Sequence, residues 1–394
     1  MRLKAATLAV GTEVVDGQIT DRNSAWISDK CVVAGLEVIE HRAVPDDREK
    51  IAEALRQLSE KCDVLFVTGG LGPTSDDFTR DLIADVFNAP LEFDPASWDK
   101  IVKRFEARGA VAKPIQRQQC FFPKGALILE NPAGTANAFS LQMPNVMIVT
   151  LPGPPAEIAA VWDLHLAKKI ESLVPAGDHE DLHLWQTLGL GEGDIAEKVE
   201  EAIKGSGLRV GYRVHLPYVE VKVWVRRIES TQAHAYLENI ERALKEWTVA
   251  HGKQDAADCI IKAAFAGHNI AVLDRVTGGY VQSRLFDSLN SFRKAHPGLE
   301  PKGSLRVTTS LLSAKAEPQE MATGDAVVLS LVSDPDSKQW HLKMVGAHSQ
   351  TLAVQPTPLY NFGTERGQKY MAEKMFHALS RIVPFDCLEA SVKD

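Results

Sequence analysis

Over the first 165 residues or so, short apolar runs alternate with stretches of helical periodicity. Ala5 to Val10 reads as a buried strand, and Val64 to Val67 and Val146 to Leu151 read as two more. Glu37 to His41 is a further candidate. Between them, Ser24 to Ala34 predicts a helix with Ile27, Cys31 and Ala34 on one face and Gly35 as its stop. Asp47 to Glu60 predicts another, with Ile51, Leu55 and Leu58 at helical spacing. Asp94-Pro95 opens a third, carrying Trp98, Ile101, Val102 and Phe105; proline suits the first helical position. Strands alternating with helices predict an α/β fold, a mostly parallel sheet with helices on both faces.

The pattern changes from about residue 180. A helix over Asp194 to Lys204 precedes a strand over Tyr218 to Val225, with Val219, Val221, Val223 and Val225 alternating, and a helix over Thr231 to Trp247. This is a small α+β unit. His251 to Asp258 is polar and reads as a linker. From Cys259 to about Val383 the α/β alternation resumes. A chain of 394 residues fits two or three domains.

Composition narrows the class. With 45% hydrophobic residues and a formal net charge of -8, the chain is an ordinary globular protein whose surface does not attract polyanions, which disfavours nucleic acid as a partner. Cys31, Cys62, Cys120, Cys259 and Cys387 are widely spaced, with no CxxC pair, and read as small core residues. The N-terminal apolar run is too short for a signal peptide, and no run of about 18 apolar residues exists to span a membrane. These features together predict a cytoplasmic protein.

The strongest chemical signal is Thr68-Gly69-Gly70-Leu71-Gly72-Pro73-Thr74-Ser75-Asp76-Asp77, between a strand and a helix. Glycines at such a turn let backbone amides approach an anion, and the following helix N-terminus favours one. A glycine pair alone is more often a plain turn. Two adjacent aspartates beside it suggest a divalent cation bridging protein and phosphate, since hard cations take oxygen ligands. Gly11-Thr12-Glu13, Asn131-Pro132-Ala133-Gly134-Thr135-Ala136 and Leu151-Pro152-Gly153-Pro154-Pro155-Ala156-Glu157 are three further loops. In an open parallel sheet they can converge on one crevice at the strands' carboxyl ends. Glu157 would sit in the first turn of a helix, as a metal ligand or as a complement to the helix dipole.

Gly-Thr-Glu, Gly-Gly-Leu-Gly-Pro-Thr-x-Asp-Asp, Asn-Pro-x-Gly-Thr-Ala and Leu-Pro-Gly-Pro-Pro-x-Glu, in this order, resemble the molybdopterin-binding-like domain of the competence/damage-inducible protein A (CinA) family. Gly191-Glu192-Gly193-Asp194-Ile195-Ala196 and Val210-Gly211-Tyr212-Arg213 resemble that family's small KH-like domain, although the acidic Gly191 to Asp194 string is a poor phosphate clamp. The resemblance implies three segments: 1–170 molybdopterin-binding-like, 171–252 KH-like α+β and 253–394 deamidase-like α/β. It implies metal-dependent hydrolysis of ADP-ribose to AMP and ribose 5-phosphate, with Mg, Mn or Co, in a homodimer. Asp76, Asp77 and Glu157 would be the metal-binding and catalytic carboxylates, and either role, ligand or base, suits each. Gly11, Thr12, Glu13, Gly69, Gly70, Leu71, Gly72, Thr74, Asn131, Gly134, Thr135 and Gly153 would line the ligand site. A pterin- or nucleotide-binding module without turnover, and a dimeric regulatory protein, are the alternatives.

The C-terminal segment departs from the family's nicotinamide mononucleotide deamidase pattern, Ala-Glu-Ser-Cys-Thr-Gly-Gly. Here the matching string is Leu273-Asp274-Arg275-Val276-Thr277-Gly278-Gly279, with Arg275 in place of the nucleophilic serine. The Tyr-Ser-Asn string with its lysine has no clear match around Ser304 to Ser310. A Thr-Gly-x-Ala-Gly-Pro string is replaced near Leu331 to Pro335. Phe362 to Arg366 still looks family-like. The expectation is a retained fold without deamidase chemistry.

Overall fold

The computed structural model describes residues 2–252, 254–274, 277, 279–309, 327–333, 340–345, 350–354 and 365–382. The chain divides into two compact units, one containing the residues up to Asp181 with Arg226–Ser230, the other Leu182–Val225 with the described residues from Thr231 on.

In the first unit the elements run β1 (Lys4–Val10), α1 (Thr12–Val15), α2 (Arg22–Val33), β2 (Glu37–Val44), α3 (Arg48–Ser59), β3 (Val64–Thr68), α4 (Thr79–Val86), β4 (Leu91–Phe93), α5 (Pro95–Glu106), β5 (Phe121–Pro123), β6 (Leu127–Leu129), β7 (Ala138–Gln142), β8 (Met147–Leu151), α6 (Pro155–Val161) and α7 (Ala167–Leu173). A six-stranded sheet has the order β2-β1-β3-β8-β7-β6. The pairs β1–β2, β1–β3 and β3–β8 are parallel, whereas β7 runs antiparallel to β8 and β6 to β7. The sheet is therefore mostly parallel, with an antiparallel edge.

Side chains on a strand alternate between faces, and both faces here are covered. Ala6, Leu8, Val10, Leu65 and Val67 pack with Ile51, Leu55 and Leu58 of α3 and with Leu82 and Ile83 of α4. Ala5, Val64 and Phe66 pack on the other side with Ile27 and Cys31 of α2, Ile158 and Val161 of α6 and Ile170 of α7. Truncating any one of these buried leucines or isoleucines to alanine would cost about 2–5 kcal/mol. The helices start where the sequence offers caps: Asp21, Asp47 and Asp94 accept hydrogen bonds from first-turn amides of α2, α3 and α5. Among the described residues Cys31, Cys62, Cys120 and Cys259 are buried and form no disulfide, and burial pushes the Cys31 and Cys62 thiols up to about 12, keeping them protonated.

The second unit holds β9 (Glu180–Leu188, its body from Leu182), α8 (Glu192–Ala202), β10 (Arg209–His215), β11 (Tyr218–Arg226), α9 (Ser230–Leu244) and β12 (Thr248–His251), then α10 (Ala256–Ala266), β13 (Asn269–Asp274), α11 (Tyr280–Ala295), β14 (Ser304–Thr309), β15 (Val327–Ser333), β16 (Trp340–Val345), β17 (Gln350–Val354) and α12 (Glu365–Ile382). Residues 182–225 and 231–252 form a four-stranded sheet, β10-β11-β9-β12, with its own apolar cluster. A second sheet follows, β14-β13-β15-β16-β17, in which β13 is parallel to β14 and β15.

The polar stretch His251 to Asp258 is not a linker. His251 ends β12, paired with Trp185, and Asp255 caps α10 by accepting from Ala257 N at 3.0 Å and Asp258 N at 3.2 Å. Asp258 returns the bond to Asp255 N at 3.2 Å, a capping box. Polar residues in sequence thus mark a helix start here rather than a break. No helix among the described residues is long and apolar enough to cross a membrane.

Candidate functional site

Parallel neighbours β1, β3 and β8 end on the same edge of the sheet. The loops that follow them, at Gly11, Gly69 and Pro152, therefore meet there. The turn at 131–136 reaches the same edge by another route: it joins β6 to β7, and β7 starts at that edge because it runs against β8. Together they enclose a cavity of about 630 Å³, lined among others by Gly11, Glu13, Gly69, Gly70, Leu71, Gly72, Asp76, Asp77, Thr135, Gly153 and Glu157. Thr12, Thr74, Asn131 and Gly134 belong to the same loops but are not among the residues that line the cavity.

Glycine is required where backbones press together. Gly69 has φ +93°, and a Cβ there would lie 2.2 Å from Val10 O, the strand end of the neighbouring loop. At Gly134 a Cβ would lie 2.1 Å from Glu157 Oε2 and 2.5 Å from Asn131 Nδ2, so only glycine admits the Glu157 carboxylate to this turn.

Many of the expected ligand-binding groups are engaged inside the loops themselves. Gly69 N donates to Leu151 O at 3.2 Å, and Gly72 N donates to Asp77 Oδ1 at 2.8 Å. Thr74 N donates to Asp77 Oδ2 at 2.9 Å, with the Thr74 hydroxyl on the same oxygen. Asp77 is thus the brace of the Gly-rich loop. Thr12 N and Oγ1 donate to Asp46 Oδ2 at 2.8 and 2.9 Å. Asn131, fully buried, accepts from Ala133 N at 3.0 Å and Gly134 N at 2.8 Å. Its Nδ2 donates to Ala136 O at 2.9 Å and to Glu157 Oε2 at 2.7 Å. Asn131 is therefore a loop former that holds Glu157, rather than a phosphate ligand. Amides of Gly70, Leu71, Thr135 and Gly153, among other lining residues, have no acceptor within the protein among the described residues and can meet an anion.

The Gly-rich string does not run straight into the helix: α4 starts at Thr79, capped by Phe78 without a side-chain bond, and Thr79 N turns back to Gly70 O at 3.3 Å. The residue that holds this loop from behind is one the sequence pattern does not single out. Arg80, 1% exposed, donates from Nη1 to Leu71 O at 2.8 Å and from Nη2 to Gly72 O at 3.1 Å. Drawing those carbonyls inward fixes the orientation of the loop peptides. Burial pushes the guanidinium down to about 10, which leaves it cationic at neutral pH behind the loop. Its signal is visible afterwards: a charged residue at helical spacing from Ile83 and Ala84, on the apolar face of α4.

Six carboxylates line the cavity, Glu13, Asp21, Asp46, Asp76, Asp77 and Glu157, against one cation, Arg22. Asp76 is fully exposed, and the nearby Thr74 hydroxyl, with Asp76's own amide, holds its carboxyl below the ordinary range. Among the described residues no three His, Cys, Asp or Glu side chains come close enough to hold a metal ion by themselves.

In the second unit, Asp274 Oδ1 accepts from Thr277 N at 2.8 Å and Oδ2 from the Thr277 hydroxyl at 2.5 Å and Gly279 N at 3.2 Å. The Thr277 oxygen in turn accepts from Val281 N at 3.2 Å, capping α11. Arg275 and Gly278 lie outside the described residues, as do Phe362 to Thr364.

The cavity and sheet belong to a recognised class of domain: residues 6–172 match the model of the probable molybdopterin binding domain. Over more of its length the chain is 32% identical to a CinA-like protein of Parasynechococcus marenigrum across 278 residues, 69% of this chain and 66% of that protein. A CinA-like protein of Shewanella amazonensis is 30% identical across 300 residues, 75% of this chain and 70% of the relative. The chain therefore spans about two thirds of the length of these relatives. The solved structure of the protein CinA from Thermoplasma acidophilum, described as of unknown function, is 29% identical, covering 43% of this chain and 98% of its own, with a TM-score of 0.40. The protein belongs to the CinA-like family.

Proposed function

We propose that the first unit hydrolyses the diphosphate of ADP-ribose to AMP and ribose 5-phosphate with the help of a divalent cation, Mg, Mn or Co, in a cytoplasmic homodimer. One observation carries this reading: unoccupied backbone amides and several carboxylates face a single cavity of about 630 Å³, inside the ordinary range of roughly 300–1,000 Å³ for small-molecule sites. A lining of six carboxylates repels a bare diphosphate, so a cation between them is the chemically consistent partner. The donor set fits a hard cation held by one or two carboxylates and completed by substrate oxygens, as Mg²⁺ commonly is.

Asp76, Asp77 and Glu157 are the residues that would hold it. Asp76 and Glu157 offer the freer oxygens, since Asn131 takes only Oε2 of Glu157 while Asp77 accepts three loop donors. When bound, such a cation neutralises diphosphate charge and lowers the pKa of a water molecule. The amides of Gly70, Leu71, Thr135 and Gly153 would hold phosphate oxygens, and the low pKa of Asp76 keeps it ionised. Water adds to one phosphorus, the bridging P–O bond breaks, and a carboxylate accepts the water proton.

The second unit, on the same proposal, lacks deamidase chemistry. The Thr277 hydroxyl is 4% exposed and doubly hydrogen-bonded, so it cannot replace the serine whose position Arg275 occupies.

A hydrolysis screen of the full chain with each metal over ADP-ribose, NAD, FAD and nicotinamide mononucleotide tests this. AMP and ribose 5-phosphate should appear from ADP-ribose, vanish with a chelator, and be accompanied by no ammonia from nicotinamide mononucleotide. No turnover of ADP-ribose with any of the metals would refute the proposal.

A further inference from the structure

We infer that Gln119 reads the uncharged part of the ligand, its side-chain amide accepting a hydrogen bond from a sugar hydroxyl or a ring amine. The inference rests on the proposed function of the first-unit cavity and deepens it. Gln119 lies in the short 3-10 turn Pro114–Cys120, is 3% exposed, and lines the cavity. Its Oε1 is buried and has no hydrogen-bond partner.

The neighbouring glutamine makes the contrast. Gln118 Nε2 donates to Thr74 O at 3.1 Å and to Asp77 O at 3.0 Å, clamping the turn onto the loop that bears the aspartates. Gln118 is thereby structural and fixes where Gln119 stands. Gln119 has no such duty. A buried carbonyl without a donor is a standing cost to the folded protein, and a donor brought by a ligand would offset it.

The chemistry of the cavity narrows what the ligand group is. Phosphate oxygens carry no donor to offer a carbonyl. A hard cation finds anionic oxygens in six lining carboxylates. An N–H or O–H of base or sugar remains, and a neutral amide takes it without adding to the negative charge.

The experiment is calorimetric titration of the full-length protein with AMP, ribose 5-phosphate and pyrophosphate, each with magnesium, for wild type, Gln119→Leu and Gln119→Met. In both variants AMP should bind about tenfold more weakly, the loss of one hydrogen bond into a buried acceptor. Pyrophosphate should bind as in wild type, and Tm should match or exceed wild type because an unpaired polar atom is gone. An equal loss for ribose 5-phosphate identifies a sugar hydroxyl as the donor; a loss for AMP alone identifies the base amine. Unchanged AMP and ribose 5-phosphate binding in variants with wild-type Tm would overturn the inference while leaving the proposed function standing. So would equal weakening of pyrophosphate, which would place Gln119 on the metal or phosphate. Wild-type protein that binds none of the three removes the proposed function and this inference together.

Discussion

Replacing Asn131 by aspartate exchanges one NH2 for one oxygen and leaves shape untouched, so its cost isolates the two bonds that Nδ2 donates. One goes to Ala136 O at 2.9 Å and the other to Glu157 Oε2 at 2.7 Å. Without a donor the buried Ala136 carbonyl costs about 1–3 kcal/mol. The second bond becomes a carboxylate facing a carboxylate. At an effective dielectric near 20, two unit charges that close repel by roughly 6 kcal/mol, an upper bound because half-buried Glu157 can swing outward. We expect a net loss of about 3–5 kcal/mol from the first unit at mildly alkaline pH.

Acid should relieve much of it. Once protonated, the new carboxyl again donates, and one of the two bonds returns. Its folded-state pKa is raised above the unfolded value near 3.9, so its contribution is fully present below that value and is lost as pH rises through the raised one. The penalty relative to wild type should therefore grow with pH, by at most about 1.4 kcal/mol per unit. Hydrogen exchange of the β1, β3 and β8 amides reads the first unit alone. Wild-type protection at alkaline pH, or a penalty that does not change with pH, would refute the assignment of Asn131 as the donor that holds Glu157.

Three further outcomes follow from the same geometry. Asp76→Ala should abolish metal-stimulated hydrolysis with Tm unchanged, whereas Asp77→Ala should also destabilise the first unit by about 2 kcal/mol, having lost three loop bonds; thermal melts beside activity assays separate them. Arg80→Met leaves the buried Leu71 carbonyl unpaired, so it should cost about 1–3 kcal/mol and weaken pyrophosphate binding, seen by calorimetry and by faster exchange over residues 69–77. In the second unit, Glu373 is 1% exposed, and burial raises its carboxyl above the ordinary range despite Arg284 Nε at 3.0 Å and the Tyr218 hydroxyl. Its contribution is therefore present below the ordinary glutamate range and lost as pH rises through the raised value, so Glu373→Gln should flatten the decline in stability of the second unit above about pH 4.3.

What could be read from the sequence is what periodicity and local chemistry encode. The core faces of α2 and α3 and the strands β1, β3 and β8 all rest on residues within one or two turns of each other. The convergence of Gly11, Gly69 and Gly153 followed from parallel order alone. Strands β6 and β7 were not anticipated: Leu127–Leu129 is three residues long, too short for a pattern. The mistaken linker at His251 to Asp258 arose because a capping box and a loop share a polar composition. Hardest to foresee was which groups were already engaged. That Asp77 binds Gly72 N, or that Asn131 reaches Glu157 across 26 positions, depends on distances no spacing contains. Gln119 and Gln118 are indistinguishable in sequence, yet one is tied to the protein and the other is not.

The way the site is built explains why it would depend so strongly on a cation. Its loops are stabilised by the same residue types that bind phosphates and metals, and most are occupied by each other: Asp46 with Thr12, Asp77 with Gly72 and Thr74, Asn131 with Gly134. This internal pairing holds the loops through bonds within the protein itself, which lowers the ordering cost that opposes binding. It also leaves several backbone amides to attract an anion and six carboxylates to repel it. A cation reverses that balance, and thermodynamic linkage makes the effect mutual: whatever factor the cation adds to the affinity for a diphosphate, the diphosphate adds to the affinity for the cation. On the proposed function neither needs a complete site of its own, which is how carboxylates that form no cage among the described residues would select a metal-bound diphosphate over a bare one.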